Sequence, residues 1–192
     1  MGMGEPFHNW KEVSIALNKL LDESLFNFSS RGISVSTSGM ADKIKQFAKE
    51  YPQINLAVSL IFPNDEDRSQ NMPVNRTHSL PELAQAINYY LNTTNRKVFL
   101  EYVMFQGLND RPEDARDLAS FISMIEKRHL IHINLIKYNS TESKFKPSSK
   151  ESMESFQELL KKMRLSTSIR RSFGEDIKAA CGQLAGKQNH SI

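Results

Sequence analysis

The sequence predicts an α/β fold built on parallel strands, in the form of an incomplete barrel or curved sheet with helices outside. Three observations carry this. Short apolar or β-branched runs alternate with amphipathic runs at helical spacing, the β-α-β-α order of parallel sheets. The run 54–62, INLAVSLIF, is nearly continuous apolar, as in a strand buried on both faces. The residues at the expected strand ends are small and polar, and ligands of parallel α/β folds sit at those ends.

The chain opens on MGMGEP, which reads as the end of a strand rather than the start of a domain, so a preceding first strand is expected outside this sequence. Residues 9–25 place Trp10, Val13, Ala16, Leu17, Leu20 and Leu21 at helical spacing. Residues 32–37 form a β-branched run closed by Ser-Gly, a turn signal. Residues 40–50 read as a helix with Ile44, Phe47 and Ala48 inward. After the 54–62 strand, the polar stretch 63–79 reads as a long loop, and long loops in compact domains are usually functional. Ser79, Pro81 and Glu82 supply a cap, a first-turn proline and a capping glutamate for a helix to about Asn92. A strand over 97–105 follows. Arg111-Pro112 then opens a helix whose inward face is Ala115, Leu118, Ala119, Ile122 and Ile125. A strand over 130–138, a Ser/Lys-rich loop over 139–150, a helix from Ser152 to Met163 and a last strand over 166–172 complete the pattern. With its first strand missing, the sheet is expected to show an uncovered edge.

The 192 residues fit a single domain, with 1–140 as the barrel core and 141–192 as a C-terminal extension. Hydrophobic residues at 39% and charged residues at 24% mark a globular chain rather than a disordered one. No apolar run is long enough to span a membrane, and the N-terminus lacks the pattern of a signal peptide. Cys181 is the single cysteine, which excludes an internal disulfide, a four-cysteine zinc site and a self-held iron–sulfur cluster. A cytoplasmic setting is the simplest. Residues 1–140 carry 15 basic against 16 acidic side chains, whereas 141–192 carry 10 against 6. The last quarter therefore favours an anionic partner or is a solvated lysine-rich surface.

Taken singly, the polar strand-end residues have bland readings. Gly4-Glu5-Pro6 is either an ordinary turn or a place where Glu5 and adjacent backbone hold an ammonium group. Ser36 either bonds a carboxylate or ribose hydroxyl or satisfies its own turn. Ser59 and Asn139 are equally open. Cys181 is either a small buried hydrophobe or, between Gly174 and Gly182 and downstream of Arg170 and Arg171, an activated thiol. The two arginines can equally meet RNA phosphates or face solvent.

The order of these features is more specific than any one of them. GMGEP, VSTSG, LAVSL-x-x-PND-x-x-R, MPVN, EYVM, the INLI strand ending at Asn139, and AACGQLAG follow one another along the chain. In order and spacing they resemble the RlmN/Cfr family of radical S-adenosylmethionine adenosine methyltransferases, from Met1 to about Gly186. The resemblance implies a partial (β/α) TIM-like barrel that holds S-adenosylmethionine and a 4Fe-4S cluster. It implies cofactor contacts at Gly4, Glu5, Ser36, Ser59, Leu60, Ile61 and Asn139, and a methyl-carrying cysteine at Cys181. It further implies methylation of an adenine in 23S rRNA, and in tRNA as a second substrate, at C2 with C8 as the alternative. An electron donor of the flavodoxin type would serve the complete enzyme, and no membrane is involved.

The sequence departs from the family pattern in several places. The CxxxCxxC cluster motif is absent, as are the N-terminal accessory domain and a second cysteine. Ile61 stands where the family usually has histidine, and Lys137-Tyr138 replaces a common Pro-Trp. These 192 residues alone are therefore expected to hold no cluster and to be inactive. The alternative is a catalytically silent RNA- or nucleotide-binding relative, which the sequence upstream of Met1 would distinguish.

Overall fold

The computed structural model describes residues 4–139 and 145–170. A 3-10 turn, Pro6–Asn9, leads into α1 (Trp10–Leu21), β1 (Ser34–Thr37), α2 (Ala41–Glu50), β2 (Asn55–Ser59), α3 (Asp65–Asn71) and α4 (Leu80–Thr94). Then follow β3 (Val98–Met104), α5 (Pro112–Ser123), β4 (Ile131–Lys137), α6 (Lys150–Lys162) and β5 (Thr167–Arg170). All five strands are parallel and stand side by side in chain order. Parallel crossovers are right-handed. Strands laid down one after another in a single direction therefore put every crossover helix on the same side, the arrangement of an open (β/α) barrel. Among the described residues β1 pairs with β2 alone, so it is an edge strand.

Side chains alternate between the two faces of each strand. The helix-facing set is Val35, Leu56, Val58, Leu100, Tyr102, Ile133, Leu135 and their neighbours, and these join one core with Ile44, Phe47, Leu83, Ile87, Leu118, Phe121 and Phe156. Burying each such large side chain contributes about 1.5–3 kcal/mol before conformational entropy is set against it. The opposite, inner face runs in register across Ser59, Glu101, Asn134 and Ser168. One tier below it come Ser36, Ala57, Phe99 and His132. Among the described residues no crossover helix lies on this inner face, and it is the more polar of the two.

The structure departs from the sequence reading at several elements. The helix expected over 9–25 stops at Leu21, because the Asp22 carboxylate accepts bonds from the Ser24 amide at 2.8 Å and hydroxyl at 2.6 Å and turns the chain. Ala16 is exposed rather than inward. The stretch 63–79 is not one loop. Asn64 accepts from the Asp67 amide at 2.8 Å to start α3, and a 3-10 turn, Pro73–Arg76, follows. The strand expected over 54–62 ends at Ser59, where the backbone turns sharply. Helix α6 begins at Lys150, two residues early, on a Ser149 cap. The N-terminus of α4 follows its sequence signal, with Ser79 and Glu82 in a reciprocal capping box.

Candidate functional site

The C-terminal ends of the strands gather most of the sequence-nominated residues. Glu5 caps the first 3-10 turn, its Oε1 accepting from the Phe7 amide at 3.1 Å and the Thr37 hydroxyl at 2.8 Å. Its Oε2 accepts from the Ser38 amide at 2.6 Å and the Ser38 hydroxyl at 2.7 Å. A carboxylate has about four lone-pair sites, so the side chain straps the first turn to the end of β1. What the GEP segment can still offer a ligand is backbone. Gly4 has φ +83°, a conformation that favours glycine, and among the described residues nothing lies within 4 Å of where a Cβ would stand.

Ser36 lies on the inner face of β1, and its Oγ is buried without a hydrogen-bond partner among the described residues. Such an orphaned hydroxyl is costly unless a ligand or water completes it. Ser59, Leu60 and Ile61 form the end of β2. The Leu60 amide donates to the Glu101 carbonyl at 3.1 Å. Ile61 has φ +60°, rare and strained for a β-branched residue. Its carbonyl is held by the Asn109 side chain at 2.9 Å, which also donates to the Val103 carbonyl at 2.8 Å and accepts from the Phe105 amide at 2.7 Å. Asn109 thus fastens the end of β2 to that of β3. Histidine tolerates this left-handed conformation better than isoleucine does. Asn139 is buried just past β4.

Two groups that the sequence reading left unassigned organise this end of the sheet. The first is Arg68 on α3, fully buried. Its guanidinium donates to the Ser38 carbonyl at 2.6 Å, the Leu60 carbonyl at 3.2 Å, the Ser59 carbonyl at 3.4 Å and Asn75 Oδ1 at 3.0 Å. Burial pulls its pKa down to about 10, with Asp65 opposing. Gly39, at φ +111°, sits over it, and a Cβ there would stand 3.1 Å from the guanidinium. The PND-x-x-R and MPVN motifs are therefore two halves of one clamp on the ends of β1 and β2. The second group is the inner-face row. Asn134 donates to Glu101 Oε1 at 2.9 Å, Ser168 donates to Asn134 Oδ1 at 3.0 Å, and His132 is held between Ser166 at 2.8 Å and Ser168 at 2.9 Å. Burial, with Lys97 adding to it, holds the His132 imidazole below its ordinary value. A single polar residue inside an otherwise apolar strand, such as Glu101 in VFLEYVM, is the signal that marks this row.

Arg170 ends β5 with its guanidinium 3.8 Å from Glu101 Oε2, and its side chain is half exposed. The structure brings it to the inner face beside the row. Arg171 and Cys181 lie outside the described residues. A cavity lined by Ile131, Met163 and Leu165 opens at the opposite, N-terminal end of the sheet, away from these groups. Among the described residues, no group of three histidine, cysteine or acidic side chains could hold a metal ion, and no helix is long and apolar enough to cross a membrane.

No family model matches the chain. Among curated proteins it is 47% identical over 186 residues to a protein of Streptococcus agalactiae serotype Ia named "Probable dual-specificity RNA methyltransferase RlmN", covering 96% of this chain and 50% of that one. A protein of the same name from Exiguobacterium sibiricum is 44% identical over 190 residues, covering 98% and 53%. The chain thus spans about half the length of the curated relatives it matches. Among solved structures, a radical SAM methyltransferase from Sphaerobacter thermophilus superposes with a TM-score of 0.90 at 40% identity, over 95% of this chain and 53% of that one. A domain of pyruvate-formate lyase-activating enzyme from Bacteroides vulgatus shares the fold, with a TM-score of 0.62 at 16% identity over 88% of this chain and 96% of that one.

Proposed function

The chain belongs to the RlmN family of radical S-adenosylmethionine methyltransferases, and from that premise we propose that it forms the S-adenosylmethionine-binding part of an enzyme that methylates an adenine base in RNA. The identity of 47% over 186 residues carries this reading, because it spans every strand end at which the candidate site lies. The relatives' names state RNA methylation. The finer assignment, C2 of an adenine in 23S rRNA and in tRNA, is our proposal.

The strand ends suit the cofactor. Ser36 offers a buried hydroxyl with no partner among the described residues. The Gly4 segment and the turned backbone at Leu60–Ile61 offer main-chain groups, and Asn139 stands just past the end of β4, two strands from β2. Glu5 and Arg68 act on this site by fixing the strand ends. When bound, S-adenosylmethionine supplies the methyl group and, with a reduced 4Fe-4S cluster, radical chemistry. The described residues and the lone Cys181 do not supply a cluster's thiolates. We therefore assign its ligands to residues outside these 192. These 192 residues alone are then expected to be inactive, and an electron donor of the flavodoxin type is proposed for the complete enzyme.

Cys181 is the proposed acceptor of the methyl group. The thiolate is the attacking form. The test uses the complete protein with reduced cluster, S-adenosylmethionine labelled in its methyl group, and RNA. Label is expected in RNA adenine. RNA binding without label transfer would instead make this a silent RNA-binding relative.

A further inference from the structure

Glu101 is a buried carboxylate that nothing in the site so far employs. It is 6% exposed and lies on the inner face in register with Ser59, one strand away from the proposed cofactor contacts. Oε1 accepts from Asn134, whereas Oε2 has no hydrogen-bond partner among the described residues. Arg170, at 3.8 Å, is beyond hydrogen-bonding distance. Around it the inner face carries apolar side chains together with polar ones. On the same face, Ala57 and Phe99 lie one tier below Glu101 between Ser36 and His132, and Val103 and Ile136 lie one tier above it beside Arg170. Apolar side chains with a few convergent polar groups among them are the usual make-up of a small-molecule slot. A carboxylate only accepts, so the edge presented to it must donate.

We propose that Glu101 Oε2 accepts a hydrogen bond from the exocyclic amino group of an adenine ring seated on this inner face. Adenine occurs both in S-adenosylmethionine and in the RNA base, and the inference rests on the function proposed above. Asn134 holds Oε1, and Ser168 in turn holds Asn134, so the carboxylate is fixed and Oε2 is left unpartnered among the described residues. Glu101 is then a specificity-determining residue, with Asn134 and Ser168 positioning it.

The test is nucleoside binding to the 192-residue chain, followed by NMR shifts at millimolar ligand. Adenosine is expected to bind at least ~10-fold tighter than inosine or purine riboside, because a site built to bond an amino group rejects analogues that lack it. In Glu101→Gln, Asn134 keeps the amide oxygen at the Oε1 position, so the new NH2 occupies the Oε2 position and donates. The preference is then expected to fall away or reverse toward inosine, whose ring carries a carbonyl there. A merely structural Glu101 would leave the ratio unchanged, and that result would overturn the proposal. So would equal binding of the three nucleosides by the wild type, or binding of none, and this comparison needs no variant to fold. Displacement of adenosine by S-adenosylmethionine would assign the slot to the cofactor's adenine. Independent binding would assign it to the RNA base. Methyl transfer by the complete protein reads the enzyme assignment separately, so failure of nucleoside discrimination alone leaves that assignment standing.

Discussion

Replacing Arg68 with methionine removes the clamp on the ends of β1 and β2 while keeping most of the aliphatic stem. Three of its bonds, to Ser38, Leu60 and Asn75, span 2.6–3.2 Å. The fourth, to Ser59 at 3.4 Å, is marginal and is left out. Bonds from a charged donor contribute about 1.5–3 kcal/mol each, so three come to roughly 4.5–9 kcal/mol gross. Against this stands the desolvation of a fully buried guanidinium, the same effect that lowers its pKa. The net loss is expected at about 3–5 kcal/mol, because the Ser38 and Leu60 carbonyls and Asn75 Oδ1 lose their donor, at about 1–3 kcal/mol for each group left unsatisfied. With a urea slope of about 2 kcal/mol per molar, the midpoint falls by about 2 M. Trp10, the single tryptophan, packs on Phe7, Phe47 and Tyr51 and reports the transition by fluorescence. Arg68→Lys keeps the charge but not the fork and should fall between the two. A loss below about 1 kcal/mol for methionine, or a lysine variant equal to wild type, would refute the clamp, since a buried group making three good bonds cannot be that cheap to remove.

Glu5→Gln is expected to cost about 1–3 kcal/mol in the same urea assay, because either orientation of the amide sets its NH2 against a backbone N–H of Phe7 or Ser38; an unchanged midpoint would show that the strap is dispensable. His132 makes stability depend on pH. Its folded pKa lies below the ordinary 6.5, so as pH falls the unfolded chain takes up the proton first. Its contribution is intact above about pH 6.5 and is lost as pH falls through the folded value, and His132→Gln should flatten that slope in urea midpoints measured across the window. An identical slope in the variant would place the titration elsewhere.

How much of this was legible depends on where the apolar signal lies. The helices packed on the core show their periodicity openly, as in Ile44, Phe47 and Ala48 of α2, and so do the capping residues of α4. The α3 segment does not, because DEDRSQN has no apolar period and Arg68 is buried by carbonyl partners rather than by hydrophobicity. Strand ends were overextended for a similar reason. Leu60 and Phe62 are as buried as strand residues, yet the backbone between them turns at Ile61. The inner-face row was hidden because its polar members come one per strand and meet only through register. Ser36, Ser59 and Asn139 are nominated only by the order of motifs, since each alone reads as an ordinary loop or capping residue.

The most direct test of the enzyme assignment reads Cys181 itself. The complete protein, reconstituted with a reduced cluster, is incubated with S-adenosylmethionine carrying a labelled methyl group, first without RNA and then with it. Peptide mass spectrometry is expected to find the label on the peptide containing Cys181, and addition of RNA should move it to an adenine. Cys181→Ala should abolish both signals, because the chain has no other thiol. Transfer of label to RNA by the Cys181→Ala protein would contradict the assignment of this cysteine as the methyl carrier.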